Sequence, residues 1–192
     1  MCSFAFFFLK KSKAKNKEIR RRVMKIGVLS DTHDQSDLIR AAVEHFNHEK
    51  VEWVFHCGDW VSPFILYFFQ GLKAPLRGVF GNNDGDKFRH LAFKDKWGLD
   101  LEYEERFLEM KIDSRLIAIF HGDYPGLVDA LVTSGIYDAV FHGHTHKKVN
   151  EHIGKTLSLN PGSLMKETSP NVKGASIAIY DTKPNSATHI LL

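Results

Sequence analysis

The residues best equipped for chemistry fall in short clusters, each just after an apolar run. Asp31-Thr32-His33 follows the first run, Gly58-Asp59 the second and Gly81-Asn82-Asn83-Asp84 the third. His121-Gly122 and Gly143-His144-Thr145-His146 follow two later ones. Carboxylate, imidazole and amide oxygen form a hard-to-borderline ligand set, suited to Mn, Fe, Zn, Ni or Co. The absence of thiolate from the clusters separates them from a Cys-rich structural zinc site. They also offer more ligands than one ion needs, and a carboxylate with two oxygens can bridge two ions. Paired ions roughly 3.5–4 Å apart are the usual apparatus for in-line displacement at phosphorus. Taken singly, each histidine is more ordinary as a loop residue; the ordered set carries the argument.

The stretch Val79–Asp86, VFGNNDGD, has a plain reading too. Gly-Asn and Asp-Gly pairs are turn chemistry, because Gly and Asn tolerate positive φ and Asn and Asp bond their own backbone. The two readings are compatible: a tight strand exit is a means of aiming a side chain.

The elements that must position these clusters alternate between strand and helix signals from Met24 onward. Lys25–Leu29 is a short apolar run. Ser36–Lys50 has helical spacing, with Leu38, Ile39, Ala42, Val43 and Phe46 on one face and Ser36 as N-cap. Val51–Phe55 is apolar throughout, as in a strand buried on both faces. Pro63–Gln70 is expected to be helical with Pro63 in its first turn, and Pro75–Phe80 to be a third strand. Phe88–Asp100 gives a mixed, weak pattern. Arg106–Ile112 and Leu116–Phe120 flank Asp113-Ser114 as a hairpin. Leu127–Ser134 is a helix closed by Gly135, and Ala139–Phe141 a short buried strand. Val149–Ile153, Thr156–Leu159, Ala175–Tyr180 and Ala187–Leu191 complete a strand-rich last third. The pattern is that of an α/β domain with a second sheet packed on the first. In open α/β sheets, sites form at the carboxyl ends of strands, where these clusters stand.

The 192 residues, 43% hydrophobic and 26% charged, fit one globular domain over 24–192. Two cysteines, Cys2 and Cys57, make no disulfide framework, and a cytoplasmic location is the default. The net charge of +3 is unevenly spread: residues 1–23 hold eight Lys and Arg against Glu18 alone, leaving 18 bases against 22 acids in the remainder. The body is therefore mildly acidic, which argues against a nucleic-acid polymer as partner. Residues 1–23 read as a basic, disordered extension or an over-extended start before Met24. Their Phe4–Leu9 patch followed by basic residues offers only a weak membrane-surface contact.

The series D-x-H, G-D, G-N-x-D, H-G and G-H-x-H, in this order after strands, resembles the calcineurin-like metallophosphoesterase superfamily. The nearest likeness is its small single-domain bacterial and archaeal phosphodiesterase branch, to which the retromer scaffold subunit is related. The resemblance runs from Met24 to the C-terminus. It implies two facing β-sheets flanked by helices, a four-layer α/β/β/α sandwich. It implies two divalent ions per chain, Mn first, with Fe, Zn, Ni or Co as alternatives. Asp31, His33 and His146 would hold one ion; Asn82, His121 and His144 the other; Asp59 would bridge. A hydroxide between the ions would attack phosphorus in line, on a small phosphoester, a diester in preference to a monoester. No Arg or Lys stands inside the motifs to meet a monoester's extra charge. The chain departs at Asn83, where many members have a histidine that assists the leaving oxygen; an amide donates a hydrogen bond but delivers no proton.

Asp59, Asn82, Asn83 and Asp84 are thus the expected catalytic residues, with Asp84 either bracing Asn82 or capping a helix. Asn160-Pro161-Gly162-Ser163 also resembles the family and should support the site. His56 and His142 are expected in the core behind the ligands, and Cys57 as a small core residue. His45, His48, His90, His152 and His189 are expected on the surface. Asp123 is an outer acid or a turn residue. Tyr67-Phe68-Phe69 is core, or a partner surface if exposed. A rival to catalysis is a non-catalytic metal-binding scaffold on the same fold, and the sequence leaves room for a homo-oligomer.

Overall fold

The computed structural model describes residues 23–169 and 172–192. The expectation of a basic, disordered extension at 1–23 falls outside the described residues save for Val23. The strands are β1 (Lys25–Leu29), β2 (Trp53–His56), β3 (Leu76–Val79), β4 (Leu101–Glu104), β5 (Phe107–Ile112), β6 (Arg115–Phe120), β7 (Ala139–Phe141), β8 (Val149–Ile153), β9 (Thr156–Asn160), β10 (Glu167–Ser169), β11 (Val172–Lys173), β12 (Ser176–Asp181) and β13 (Ser186–Leu191). The helices are α1 (Ser36–Glu49), α2 (Lys87–Lys96) and α3 (Pro125–Thr133), with a 3₁₀ segment at Pro63–Phe69.

The first sheet has the order β13-β12-β1-β2-β3-β4, with β1 to β4 parallel and β12 and β13 antiparallel at the edge. The second has the order β5-β6-β7-β9-β8, parallel at its centre. A small ribbon, β10-β11, completes the set.

Alternation along each strand sends side chains to two different cores. Ile26, Val28, Phe55, Cys57 and Val79 meet Ile117, Ile119, Phe141, Leu157 and Leu159 between the sheets. On the outer face of the first sheet, Leu29, Val54 and Leu76 pack against Ile39, Phe46, Leu66 and Phe69. Beyond the second sheet, Ala118 and Val140 meet Val132 of α3. The result is helix, sheet, sheet, helix, the expected four-layer sandwich. Its central strands are buried on both faces, so their sequences are apolar at successive positions.

Local departures from the sequence reading have physical causes. Ser36 is the first helical residue, not the cap; the N-cap is Gln35, without a side-chain bond. Pro63–Phe69 is 3₁₀ because Pro63, Leu66 and Phe69 are all buried three apart, and a period of three puts them on one edge. The weak stretch after Asp86 forms α2, started by the Asp86 side chain accepting the Arg89 N–H at 3.1 Å. Only His90 of α2 is buried, so no apolar stripe announces this helix. His90 is not a surface residue: its Nδ1 lies 3.1 Å from the Tyr103 hydroxyl, and its ring packs edge-on against Trp60 and Phe80. His45 and His189 are also partly buried, leaving His48 and His152 exposed. Tyr67 is exposed while Phe69 is core. Among the described residues, no helix is long and apolar enough to cross a membrane.

Candidate metal centre

The exits of β1, β2, β3, β6 and β7 lie together at one end of the two sheets. Backbone bonds lace them: the Asp31 N–H donates to the Gly58 carbonyl at 2.9 Å, and the Gly143 N–H to the His121 carbonyl at 2.7 Å. Asp31, His33, Asp59, His144 and His146 all have left-handed backbone, with φ of 51°, 39°, 59°, 66° and 58°. Such conformations cost on the order of 1–3 kcal/mol each, and they cluster where function requires them. Two glycines permit the close approach. A Cβ on Gly81 would sit 2.2 Å from Asp59 Oδ1, and one on Gly143 would sit 1.9 Å from Ser30 Oγ and 2.6 Å from Asp31 Oδ2.

The side chains gather in two overlapping groups, Asp31-His33-His146 and Asp31-Asp59-His121; within each, ligand atoms lie within 4.8 Å of one another. Asp31 Oδ1 lies 3.3 Å from His146 Nε2 and 3.8 Å from His33 Nε2. His33 Nε2 is 3.3 Å from His146 Nε2 and 3.6 Å from Asp59 Oδ2. On the other side, His121 Nε2 is 3.3 Å from Asp59 Oδ1 and 3.0 Å from Asn82 Oδ1. The His144 ring stands edge-on to His121, with centroids 5.2 Å apart. All seven expected ligands are therefore at this one place.

Two observations fit the group to cations. Asp31 Oδ1 is buried without a hydrogen-bond donor, although Oδ2 accepts the His144 N–H at 3.0 Å. An orphaned buried carboxylate oxygen is costly unless something positive reaches it. At His121, Nδ1 lies 2.9 Å from the Cys57 carbonyl, which only accepts, so Nδ1 bears hydrogen. The neutral ring then points the Nε2 lone pair at the oxygens of Asn82 and Asp59. Three acceptors converge on one point, which needs a cation or a second proton.

The electrostatics agree. Burial alone would raise the Asp59 carboxyl, but the hydrogen bond and charge of His121, with two donors from Asn83, hold it well below the ordinary range. Burial would lower His121, yet Asp59 and Asp31 together raise it. The raised His121 reports the negative potential of the two aspartates, and the lowered Asp59 reports the donors and the His121 proton that face it.

The surroundings separate ligands from supports. Asn83 clamps Asp59: its N–H donates to Oδ1 at 2.9 Å and its Nδ2 to Oδ2 at 2.7 Å. Asp84 is buried, and its carboxylate accepts the N–H groups of Asp59 at 3.0 Å, Gly81 at 2.7 Å and Val61 at 2.7 Å. It faces backbone rather than the ligand cluster, and Asp86, not Asp84, caps α2. Asn160 donates to the Gly143 carbonyl at 2.8 Å, and Ser163 Oγ to the Asp31 carbonyl at 3.0 Å, so their loop holds two of the exits. Cys57 packs between the sheets. Asp123 pairs with Arg106. Burial, aided by the charge of His121, pushes His56 well below the ordinary imidazole range, and burial pushes His142 down to about 4. The sequence reading passed over Thr32 and Asp34; Asp34 Oδ1 accepts the Ser62 N–H at 2.9 Å and ties the first exit to the second. Their positions directly beside Asp31 and His33 were the available signal.

A family model described as the calcineurin-like phosphoesterase superfamily domain matches residues 24–185. The chain is 38% identical over 173 residues to phosphodiesterase MJ0936 of Methanocaldococcus jannaschii, spanning 88% of this chain and 99% of the relative. Among solved structures, a novel archaeal phosphodiesterase superposes with a TM-score of 0.81 at 36% identity, over 88% of this chain and 100% of that one. Yfce, a phosphoesterase from E. coli, shares the fold with a TM-score of 0.63 at 17% identity, over 88% and 99% of the two chains.

Proposed function

The chain belongs to the calcineurin-like phosphoesterase superfamily, and from that premise we propose that it is a metal-dependent phosphodiesterase working on small phosphoesters with two divalent ions, Mn first. The observation that carries the reading is the convergence of Asp59 Oδ1, Asn82 Oδ1 and His121 Nε2 beside the donor-free Asp31 Oδ1. Asp31, His33 and His146 would hold one ion, Asn82, His121 and His144 the second, with Asp59 shared. When bound, divalent ions supply charge for the phosphoryl oxygens and acidify water at neutral pH.

The chain's own residues do the rest. Asn83 fixes Asp59 by two hydrogen bonds, and Asp84 fixes the backbones of Asp59 and Gly81. Asn83 delivers no proton, so its part is orientation. Diesters are favoured because no Lys or Arg lies within the ligand motifs to meet a second phosphoryl charge. The acidic body supports a small substrate over a nucleic-acid polymer.

The test is hydrolysis of an aryl phosphodiester such as bis(p-nitrophenyl) phosphate with added Mn²⁺, against an Asp59→Asn control. Wild type should turn over, and the variant should fall by on the order of 10²-fold or more, the scale of losing one preorganised electrostatic group. Equal inertness of both proteins across several metals would reject the reading.

A further inference from the structure

Behind the ligand loops, the last residue of β2 is fully buried and joined to both of the first two exits. His56 Nδ1 accepts the Gly58 N–H at 3.0 Å. A ring nitrogen that accepts carries no hydrogen, so the neutral ring bears its proton on Nε2. That nitrogen lies 3.1 Å from Thr32 Oγ1, which means Nε2–H donates to the threonine. The hydroxyl of Thr32 in turn donates to the Asp59 carbonyl at 3.4 Å. The imidazole is held flat on the Trp60 indole, with centroids 3.5 Å apart and planes 12° apart, and Trp60 Nε1–H donates to the Val79 carbonyl at 2.9 Å. The ring therefore has one tautomer and one orientation.

Thr32 stands between Asp31 and His33, while Gly58 precedes Asp59. His56 thus bonds to both ligand loops at once. These are loops in which Asp31, His33 and Asp59 have left-handed backbone, a conformation that persists only where its surroundings over-determine it. We propose that His56 is a positioning residue, whose Nε2–H bond to Thr32 sets the spacing of the Asp31-Thr32-His33 loop from Asp59 and thereby the affinity for the first ion. The inference rests on the reading of the site as a metal-dependent phosphoesterase. His56 touches neither substrate nor ion; it acts through Thr32.

Amide substitutions separate the two ring nitrogens. His56→Gln can place an amide N–H near the Nε2 position and keep the donor to Thr32. His56→Asn can reproduce only the Nδ1 acceptor for Gly58. At the other end, Thr32→Ser keeps the hydroxyl and Thr32→Val removes it. Mn²⁺ affinity is measured on metal-stripped protein from the free-Mn²⁺ electron paramagnetic resonance signal, with thermal unfolding of the stripped protein as the folding check. His56→Asn and Thr32→Val should bind Mn²⁺ about 10–100-fold more weakly, the usual cost of losing an outer partner of a metal ligand. They should also lower kcat with little change in KM once loaded. His56→Gln and Thr32→Ser should recover most of the affinity. If Gln and Asn lose affinity equally, or if Val matches Ser, the positioning role is overturned. A wild-type chain that binds no divalent ion and hydrolyses no phosphodiester would overturn the phosphoesterase reading itself. Normal wild-type binding with an unaffected Thr32→Val variant would overturn only the role of His56.

Discussion

Asp84 offers the sharpest test of how the site is held. Its Oδ2 takes the buried N–H groups of Asp59 and Gly81, and its Oδ1 takes that of Val61, a part-buried bond. Val61 is β-branched with φ of 75°, a conformation it would not adopt unaided. Asp84→Ala leaves two buried donors without a partner, at about 1–3 kcal/mol each, while the Val61 N–H can still reach water. The expected loss is about 2–6 kcal/mol, a large fraction of a typical domain's 5–15 kcal/mol. Asp84→Asn can keep its oxygen on Asp59 and Gly81 and lose only the Val61 bond, so about 1–2 kcal/mol is expected. Urea unfolding followed by tryptophan emission reads both, since Trp60 directly follows Asp59 in the chain. Turnover should follow the same order, because Asp59 and Asn82 sit on the released backbones. If Asp84→Ala were as stable as wild type to within about 0.5 kcal/mol, the bracing argument would fail. Abolished turnover in Asp84→Asn at unchanged stability would show instead that the carboxylate acts on substrate.

Other substitutions probe neighbouring links. Asn83→Ala frees Asp59 Oδ2 while Oδ1 keeps its backbone bond, and turnover should fall about tenfold, the scale of one lost hydrogen bond of roughly 1.4 kcal/mol in the transition state. Asn83→His should leave Mn²⁺ stoichiometry intact; loss of an ion in a Mn²⁺ titration would mean that Asn82 and Asn83 have exchanged roles. Gly143→Ala drives a methyl into Ser30 Oγ and Asp31 Oδ2 and should weaken Mn²⁺ binding, whereas Gly126→Ala, with open space around it, should not. His90 is lowered from 6.5, by burial first, partly opposed by Asp84, the Val61 carbonyl, Asp86 and Asp34. The unfolded chain therefore takes up its proton first, and native stability should fall as pH drops below 6.5 toward the folded value. Urea midpoints for His90→Gln should show a shallower fall over that window; an unchanged slope would remove His90 from the account.

The candidate clusters were legible because each follows a short apolar run; which residue would hold which ion came from the resemblance. The strand pattern gave an α/β domain with a second sheet, and the four-layer sandwich came from the resemblance; strands buried on both faces, such as β2 and β7, show as short apolar runs. What stayed hidden was whatever long-range burial decides. Little in Lys87–Lys96 marks a helix except the Asp86 cap, since only His90 is fully buried and Phe93 only half so. His90 itself looks polar and solvent-facing until Trp60, Phe80 and Tyr103 close around it. Asp84 was readable as a brace of Asn82 or a helix cap, but its hold on the backbone amides of Asp59 and Val61, more than twenty residues away, was not. Ser36 has the chemistry of a cap and misses the position by one residue.

The same geometry weighs on the choice between catalyst and scaffold. Five of the seven candidate ligands adopt left-handed backbone, at about 1–3 kcal/mol apiece, and Asp31 keeps a buried oxygen without a donor. His121 turns its lone pair toward two oxygens instead of away from them. A fold that served only as a docking frame would gain stability by relaxing any one of these features. Loss of Asp31 or a flipped His121 would lower the cost without disturbing the cores between and outside the sheets. Positive charge in the pocket would offset these costs, which would couple the chain's stability to ion binding through the same residues. That coupling is the physical ground for preferring the phosphodiesterase reading. The strained loops are too costly to be passive architecture, and Asn83 and Asp84, which hold Asp59 and Gly81 in place, are the means by which that cost is met.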